Sequence, residues 1–95
     1  MARTTVELVY VEGCPNVAAA RENLRRALRA AAWPAIWREW EQNDPAAPAR
    51  VRAHPSPTVL VDGRDVSGEA PGSSAQACRA GGAPSVDRIR KALLG

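Results

Sequence analysis

The residue with the clearest chemical potential is a cysteine that follows a short apolar stretch and a glycine. Cys14 comes directly after Gly13 and directly before Pro15, at the predicted start of a helix. The first turn of a helix has unpaired N–H groups and the positive end of the helix dipole. Both stabilise a thiolate over a thiol, so the sequence predicts a reactive sulfur at Cys14, although nearby Glu12 opposes the thiolate. The alternative is a cysteine that only packs at a strand–helix junction.

The elements around Cys14 predict a strand–helix–strand unit. Residues 4–11 are rich in valine and almost continuously apolar, which is typical of a strand covered on both faces. Residues 15–31 carry apolar side chains on one face at helical spacing, and Trp33-Pro34 ends that helix. Residues 35–41 are typical of a second strand. A unit of this length implies a right-handed crossover between parallel strands.

The second half of the chain predicts a short helix, a hairpin and a final helix. A short or irregular helix is expected within residues 43–53, because internal prolines limit its length. A strand over 58–61 is followed by an Asp-Gly turn at 62–63 and a short antiparallel strand over 64–67. Ser85 is a favourable cap for a last helix over 86–94.

The predicted fold class is α/β, with the order β-α-β-(short helix)-β-β-α in a single domain of residues 1–95. The strands form a mixed four-stranded sheet with helices packed on it. The chain has three tryptophans and no phenylalanine, so the tryptophans are expected to supply much of the large apolar surface. Trp37 and Trp40 are expected to pack on opposite faces of the second strand.

Composition limits the classes of function. The net charge is +3 and the arginines are spread along the chain, which does not indicate a nucleic-acid interface. No apolar run approaches the length of a membrane span or follows a basic start, so the sequence predicts a cytoplasmic protein with mostly reduced cysteines. Two cysteines are too few for a disulfide framework, and one histidine adds little to a zinc site, so no cofactor is expected.

Two local patterns carry a resemblance to a known family. They are EGCPNV at residues 12–17 and SPTVLVDG at residues 56–63. With the predicted order of elements, they resemble the thioredoxin-like fold in its minimal form over residues 4–95. More narrowly, the chain is similar to small bacterial thioredoxin-like proteins with Gly-Cys-Pro at the helix start and a late Cys-Arg. Some proteins of that group are associated with mercury resistance.

The resemblance implies a set of site residues. Cys14 takes the place of the family's nucleophilic cysteine, and Pro57 takes the place of its cis-proline. In the family, the backbone before that proline lies beside the cysteine and pairs with an extended substrate. Ser56 and Thr58 would then flank the sulfur, and the substrate-binding residues would be Pro15, Ser56, Pro57 and Thr58.

One departure from the family pattern concerns the second cysteine. Val17 stands in the fourth position of the Cys-x-x-Cys motif, and valine cannot resolve a mixed disulfide. Cys14 must act as a monothiol or use Cys78 as its catalytic partner. The alternative is that Cys78 is a small buried hydrophobe or an idle loop thiol. His54 is the one possible base near the site, although the expectation is a solvated loop histidine.

Three functions follow from these residues. The first is thiol–disulfide exchange through Cys14, as a monothiol or with Cys78, on a protein or small-molecule disulfide. The second is a binding module without enzymatic activity, in which both thiols hold a soft metal ion such as mercury(II), or the groove beside Pro57 holds a peptide. The third is a redox-inactive thioredoxin-like scaffold. No nucleic-acid or membrane partner is expected.

Overall fold

The chain folds around a four-stranded mixed sheet. The computed structural model describes residues 4–67 and 83–94. In order, the elements are β1 (Val6–Tyr10), α1 (Val17–Ala30), β2 (Arg38–Glu41), α2 (Ala49–Arg52), β3 (Thr58–Val61), β4 (Arg64–Asp65) and α3 (Val86–Leu94). This order agrees with the one predicted from the sequence and gives an α/β fold.

The strands lie in the order β2-β1-β3-β4. β1 pairs with β2 in parallel, as the strand–helix–strand unit predicts, and Val9 lies opposite Trp40. β1 pairs with β3 antiparallel, and β3 pairs with β4 antiparallel. β1 and β3 are therefore the central strands, and their almost wholly buried residues explain their continuous apolar sequences.

The main core lies between one face of the sheet and the helices α1 and α3. Its largest fully buried side chains include Leu8, Leu24, Leu28 and Ile89. The three tryptophans are only partly buried and pack at the margins. The expectation that tryptophans supply much of the large apolar surface is therefore wrong for the core, because leucines on β1 and α1 fill it.

The opposite face of the sheet is covered by α2 and the loops around it. Val9 and Leu60 project from this face and pack against Val51 of α2, with Trp40 beside them. Trp37 packs instead with the main core, so the two tryptophans lie on opposite sides as predicted, although Trp37 precedes β2. The apolar cluster on this face of the sheet is therefore small, and it is covered by α2 and the loops around it.

The helix ends are defined by local backbone geometry. α1 begins at Val17 instead of residue 15, because Pro15 and Asn16 form a turn in which the N–H of Val17 donates to the carbonyl of Cys14 (3.3 Å). At its other end, the N–H of Trp33 donates to the carbonyl of Leu28 (2.8 Å) and that of Ala32 to the carbonyl of Arg29 (3.0 Å). These two bonds are the Schellman motif. No helix within residues 4–67 and 83–94 is long and apolar enough to cross a membrane.

The hairpin turn and the last helix match their sequence signals closely, whereas β4 ends at Asp65 and not at residue 67 as predicted. Asp62 and Gly63 have φ values of 53° and 80°, the left-handed conformations of a type I′ turn. The carboxylate of Asp62 also accepts the N–H of Thr5 (2.9 Å), which fixes the turn to the start of the chain. At the start of α3, the N–H of Arg88 donates to the hydroxyl of Ser85 (3.1 Å), the predicted cap.

Candidate thiol site

Cys14 lies between the end of β1 and the start of α1. Gly13 has a φ of 86°, a left-handed conformation that suits glycine, and the N–H of Cys14 donates to the carbonyl of Val11 (3.1 Å). The carbonyl of Cys14 in turn accepts the N–H of Val17 (3.3 Å). This turn holds Cys14 half-buried beyond the end of the central strand β1, while Pro15 beside it is exposed.

The sulfur of Cys14 takes part in a disulfide bond. No free cysteine is present among the residues that the structure describes. The other cysteine of the sequence, Cys78, lies outside the described residues. The expectation of a mostly reduced cysteine is therefore wrong for Cys14, which is disulfide-bonded in the structure. Its pairing with Cys78 stays a prediction.

The second part of the site is the buried segment of residues 54–58. Its three successive carbonyls have different partners. The carbonyl of His54 accepts the side-chain amide of Gln42, and that of Pro55 accepts the hydroxyl of Thr58. The carbonyl oxygen of Ser56 lies 4.0 Å from the Sγ of Cys14. The segment is thus anchored by hydrogen bonds up to the carbonyl that meets the sulfur.

Ser56 joins this segment to both sides of the thiol site. Its hydroxyl oxygen accepts the N–H of Val11 (2.8 Å), at the end of β1, while its carbonyl faces Cys14. The peptide bond from Ser56 to Pro57 is cis, as the resemblance implies. A disulfide sulfur has no hydrogen to donate, so its distance to the carbonyl describes a non-bonded contact; a Cys14 thiol could donate weakly there.

The expected substrate-binding residues differ in exposure. Pro15 is exposed, whereas Ser56, Pro57 and Thr58 are completely or almost completely buried. The hydroxyl of Thr58 is directed to the carbonyl of Pro55 and holds the segment together. A substrate could therefore reach these three residues only if the surrounding chain moved, and their role in binding stays a prediction.

His54 is buried, and the expectation of a solvated loop histidine is wrong. Only 6% of the residue is exposed. Its Nδ1 atom lies 3.9 Å from the Oδ2 of Asp65, whose side chain is also buried. The sequence could not show this burial, because it depends on β4 returning beside β3 and placing Asp65 opposite Leu60.

The buried carboxylate of Glu7, a residue of β1, was not predicted. Glu7, which is 2% exposed, accepts two hydrogen bonds from Arg50 (2.9 and 2.8 Å) and one from the indole of Trp40 (2.7 Å). The Arg50 bonds are the main reason that the pKa of Glu7 is below its ordinary value; burial acts in the opposite direction. The available signal was a glutamate inside an apolar strand, but its partners are distant in sequence.

The described residues contain no group of three or more histidine, cysteine or acidic side chains that could hold a metal ion. Cys14 is thus the chemically distinctive group of the site, and the Ser56 backbone is its nearest defined neighbour. Comparisons with protein families, with curated proteins and with solved structures find no match to this chain.

Proposed function

We propose that this protein carries out thiol–disulfide exchange on a thioredoxin-like scaffold, with Cys14 as the nucleophile. The observation that carries the proposal is the setting of Cys14: a half-buried, disulfide-bonded sulfur at a strand-to-helix turn, 4.0 Å from the carbonyl of Ser56. A sulfur that is only a packing group does not need to be oxidised or to adjoin an anchored backbone carbonyl. Thiol chemistry accounts for both features.

The sheet and its helices support the thioredoxin-like part of the proposal. The strand order β2-β1-β3-β4 combines one parallel crossover with an antiparallel hairpin, and α1 and α3 share a face opposite α2. The two sequence patterns meet in space, since Cys14 and Ser56 are in contact. A cytoplasmic location fits the proposal, because thiol pools there reduce exposed disulfides.

Cys78 is the resolving cysteine that we propose, because the chain has no other cysteine to pair with Cys14. In the reductive direction, the Cys14 thiolate attacks a substrate disulfide, forms a mixed disulfide and releases one substrate thiolate, which takes a proton from solvent. The Cys78 thiolate then attacks the Cys14 sulfur, forms the Cys14–Cys78 disulfide and releases the second substrate thiolate. The substrate disulfide gains two electrons and the protein dithiol loses two.

The experiment is a thiol count by mass under native conditions, followed by equilibration with reduced and oxidised glutathione. Oxidation should remove two hydrogen atoms per chain without forming a dimer, and glutathione should exchange electrons with the protein. Cys14→Ser should abolish exchange. Cys78→Ser should trap a mixed disulfide between Cys14 and glutathione, since the resolving thiol is missing.

The same proteins separate the alternatives. Tight one-to-one binding of mercury(II) to the reduced protein, without glutathione exchange and lost in both variants, would indicate a soft-metal module. Two thiols that remain free, with neither exchange nor mercury binding, would indicate a redox-inactive scaffold. A crosslinked dimer would exclude Cys78 as an intramolecular resolving group.

A further inference from the structure

An exposed acidic side chain lies in the tight turn that leads to Cys14. The N–H of Cys14 donates to the carbonyl of Val11 (3.1 Å), which makes Glu12 and Gly13 the two corner residues of a β-turn. The positive φ of Gly13 is the one that the second corner of a type II turn requires. Glu12 and Gly13 are exposed, whereas Cys14 is half-buried. A molecule that approaches the sulfur from solvent on the side of this turn therefore passes Glu12.

The chain itself keeps Glu12 close to the sulfur. Two peptide units separate Glu12 from Cys14, so their Cα atoms lie at most about 7 Å apart. Even if the two side chains point in opposite directions, the carboxylate and the Sγ atom are within roughly 15 Å of each other. The Debye length is about 30 Å at 10 mM salt, so the charge of Glu12 acts on any ion that reaches the sulfur.

The charge of Glu12 is not compensated by a described neighbour. The stretch from β1 through the turns into α1 has no basic residue before Arg21, and the guanidinium of Arg21 binds the carboxylate of Glu39 (3.0 and 2.9 Å). The other acidic residue of this stretch, Glu7, is paired with Arg50. Glu12 forms no hydrogen bond or ion pair with another described residue. The stretch therefore leaves one negative charge beside the thiol.

We propose that Glu12 is a specificity residue of the thiol–disulfide exchange proposed above, on which this inference rests, and that it makes Cys14 prefer disulfides with positive charge beside their sulfur atoms. The carboxylate attracts a cationic substrate to the Cys14 thiolate and repels an anionic one. Disulfides flanked by ammonium or guanidinium groups fit this site, as small molecules or within basic peptides. Glutathione disulfide, which carries a net negative charge, should be a slow substrate.

The first test compares the rates at which the reduced protein reacts with disulfides of different charge. They are cystamine, which is cationic, bis(2-hydroxyethyl) disulfide, which is neutral, and glutathione disulfide. Each rate is divided by that of the same disulfide with 2-mercaptoethanol, so that differences in intrinsic reactivity cancel. We expect a preference for cystamine at about 10 mM salt that shrinks at about 500 mM salt. Glu12→Gln should lower the preference for cystamine over glutathione disulfide by about fourfold at low salt, and Glu12→Lys should reverse it.

A peptide disulfide with lysine on both sides of its cysteine distinguishes the two sources of cationic substrate. Its rate and that of cystamine should both fall in Glu12→Gln. The faster of the two reactions then identifies a peptide or a small molecule as the better substrate. If neither rate falls, the proposal is overturned.

The matched control is Asp62→Asn, which removes the same charge far from the thiol. The carboxylate of Asp62 accepts the N–H of Thr5 at the start of β1. At a rise of about 3.3 Å per residue, Thr5 is roughly 20 Å from Val11 at the other end of the strand. Asparagine keeps an acceptor and tolerates the left-handed backbone of this position. The variant should keep the preference for cystamine; an equal loss in Glu12→Gln and Asp62→Asn would show that only net charge matters and would overturn the proposal.

The second test does not require disulfide exchange. Iodoacetamide is neutral and iodoacetate is anionic, and both alkylate the thiolate of Cys14 in the reduced protein. The ratio of their rates therefore cancels any effect of Glu12 on the fraction of thiolate. With the modified peptide identified by mass, Glu12→Gln should lower the iodoacetamide-to-iodoacetate ratio by about twofold at low salt, while Asp62→Asn should not change it. An unchanged ratio in Glu12→Gln overturns the proposal.

The two tests separate this inference from the proposed function. Exchange with all the disulfides, without a change of preference in Glu12→Gln, would overturn the role of Glu12 and leave thiol–disulfide exchange intact. Absence of exchange with every disulfide would refute thiol–disulfide exchange, and substrate selection with it. A lowered alkylation ratio in Glu12→Gln would then still show that the charge of Glu12 acts at the thiol.

Discussion

The carbonyl oxygen of Ser56 lies 4.0 Å from the Sγ of Cys14, although 42 residues separate the two in the sequence. The contact joins the turn after β1 to the segment before β3. The hydroxyl of Ser56 reinforces it by accepting the N–H of Val11. One small side chain thus fixes the spacing of the two halves of the candidate site.

Ser56→Ala should destabilise the fold by about 1–2 kcal/mol, because the part-buried N–H of Val11 loses its acceptor. Urea unfolding followed by circular dichroism measures the change. The matched control is Ser85→Ala, which removes an exposed helix cap and should cost about 0.5–1 kcal/mol. Equal or reversed losses would show that the Ser56 hydroxyl does not hold the segment in place.

Arg50→Ala should lower the free energy of unfolding by about 2 kcal/mol. The substitution leaves the buried carboxylate of Glu7 with the indole of Trp40 but without its charged partner. The loss is below that of a fully buried pair because half of the Arg50 side chain is exposed and water can enter. Arg90→Ala removes an exposed partner of Asp87, which keeps Lys91, and should change the stability far less than Arg50→Ala. A similar result for both arginines would contradict the special role of Arg50.

Acidification should weaken the fold through Glu7. Arg50 holds the pKa of Glu7 below its ordinary value of 4.5, so the unfolded chain takes up the proton first as the pH falls. The stabilisation from ionised Glu7 is complete well above pH 4.5 and is lost as the pH falls through the lowered pKa. Unfolding curves in urea between pH 7 and pH 3 measure this loss. Glu7→Gln should be less stable at pH 7 and should lose less stability on acidification; parallel curves would refute the assignment.

Ala32→Gly should stabilise the protein by about 1 kcal/mol. Ala32 follows the end of α1 with a φ of 59°, a left-handed conformation that favours glycine in a Schellman motif. The same change at Ala19, which is exposed within α1, should destabilise by about 0.5–1 kcal/mol because it occurs inside a helix. Thermal unfolding distinguishes the two, since the midpoints should move in opposite directions.

The sequence predicts those parts of the fold that are set by local pattern. The bounds of β3 and α3 agree with their apolar spacing and caps, and the turn at Asp62 has the expected left-handed backbone. The start of α1 is predicted less well, because a turn at Pro15 and Asn16 precedes the helix, which begins at Val17. Residue propensities do not predict where such a turn ends.

The parts of the site that were missed depend on contacts between distant residues. Glu7 is surrounded by apolar neighbours in the sequence, and its burial becomes tolerable only when Arg50 and Trp40 reach it. His54 has the sequence surroundings of a loop residue, and the hairpin is what brings Asp65 to it. The buried side chains of Glu7 and Asp65 lie on the face of the sheet that α2 covers. Few apolar side chains pack on that face.

The arrangement of the strands also bears on self-association. β2 and β4 are at the margins of the sheet, and β4 has only two residues. If two copies of β2 paired antiparallel about Glu39, each Glu39 would face its own copy; a pairing about Trp40 would place Glu39 opposite Glu41. Both registers bring carboxylates together on one face. An exposed strand edge can add identical chains to a sheet. Glu39 and Glu41, at alternate positions of β2, therefore disfavour such growth.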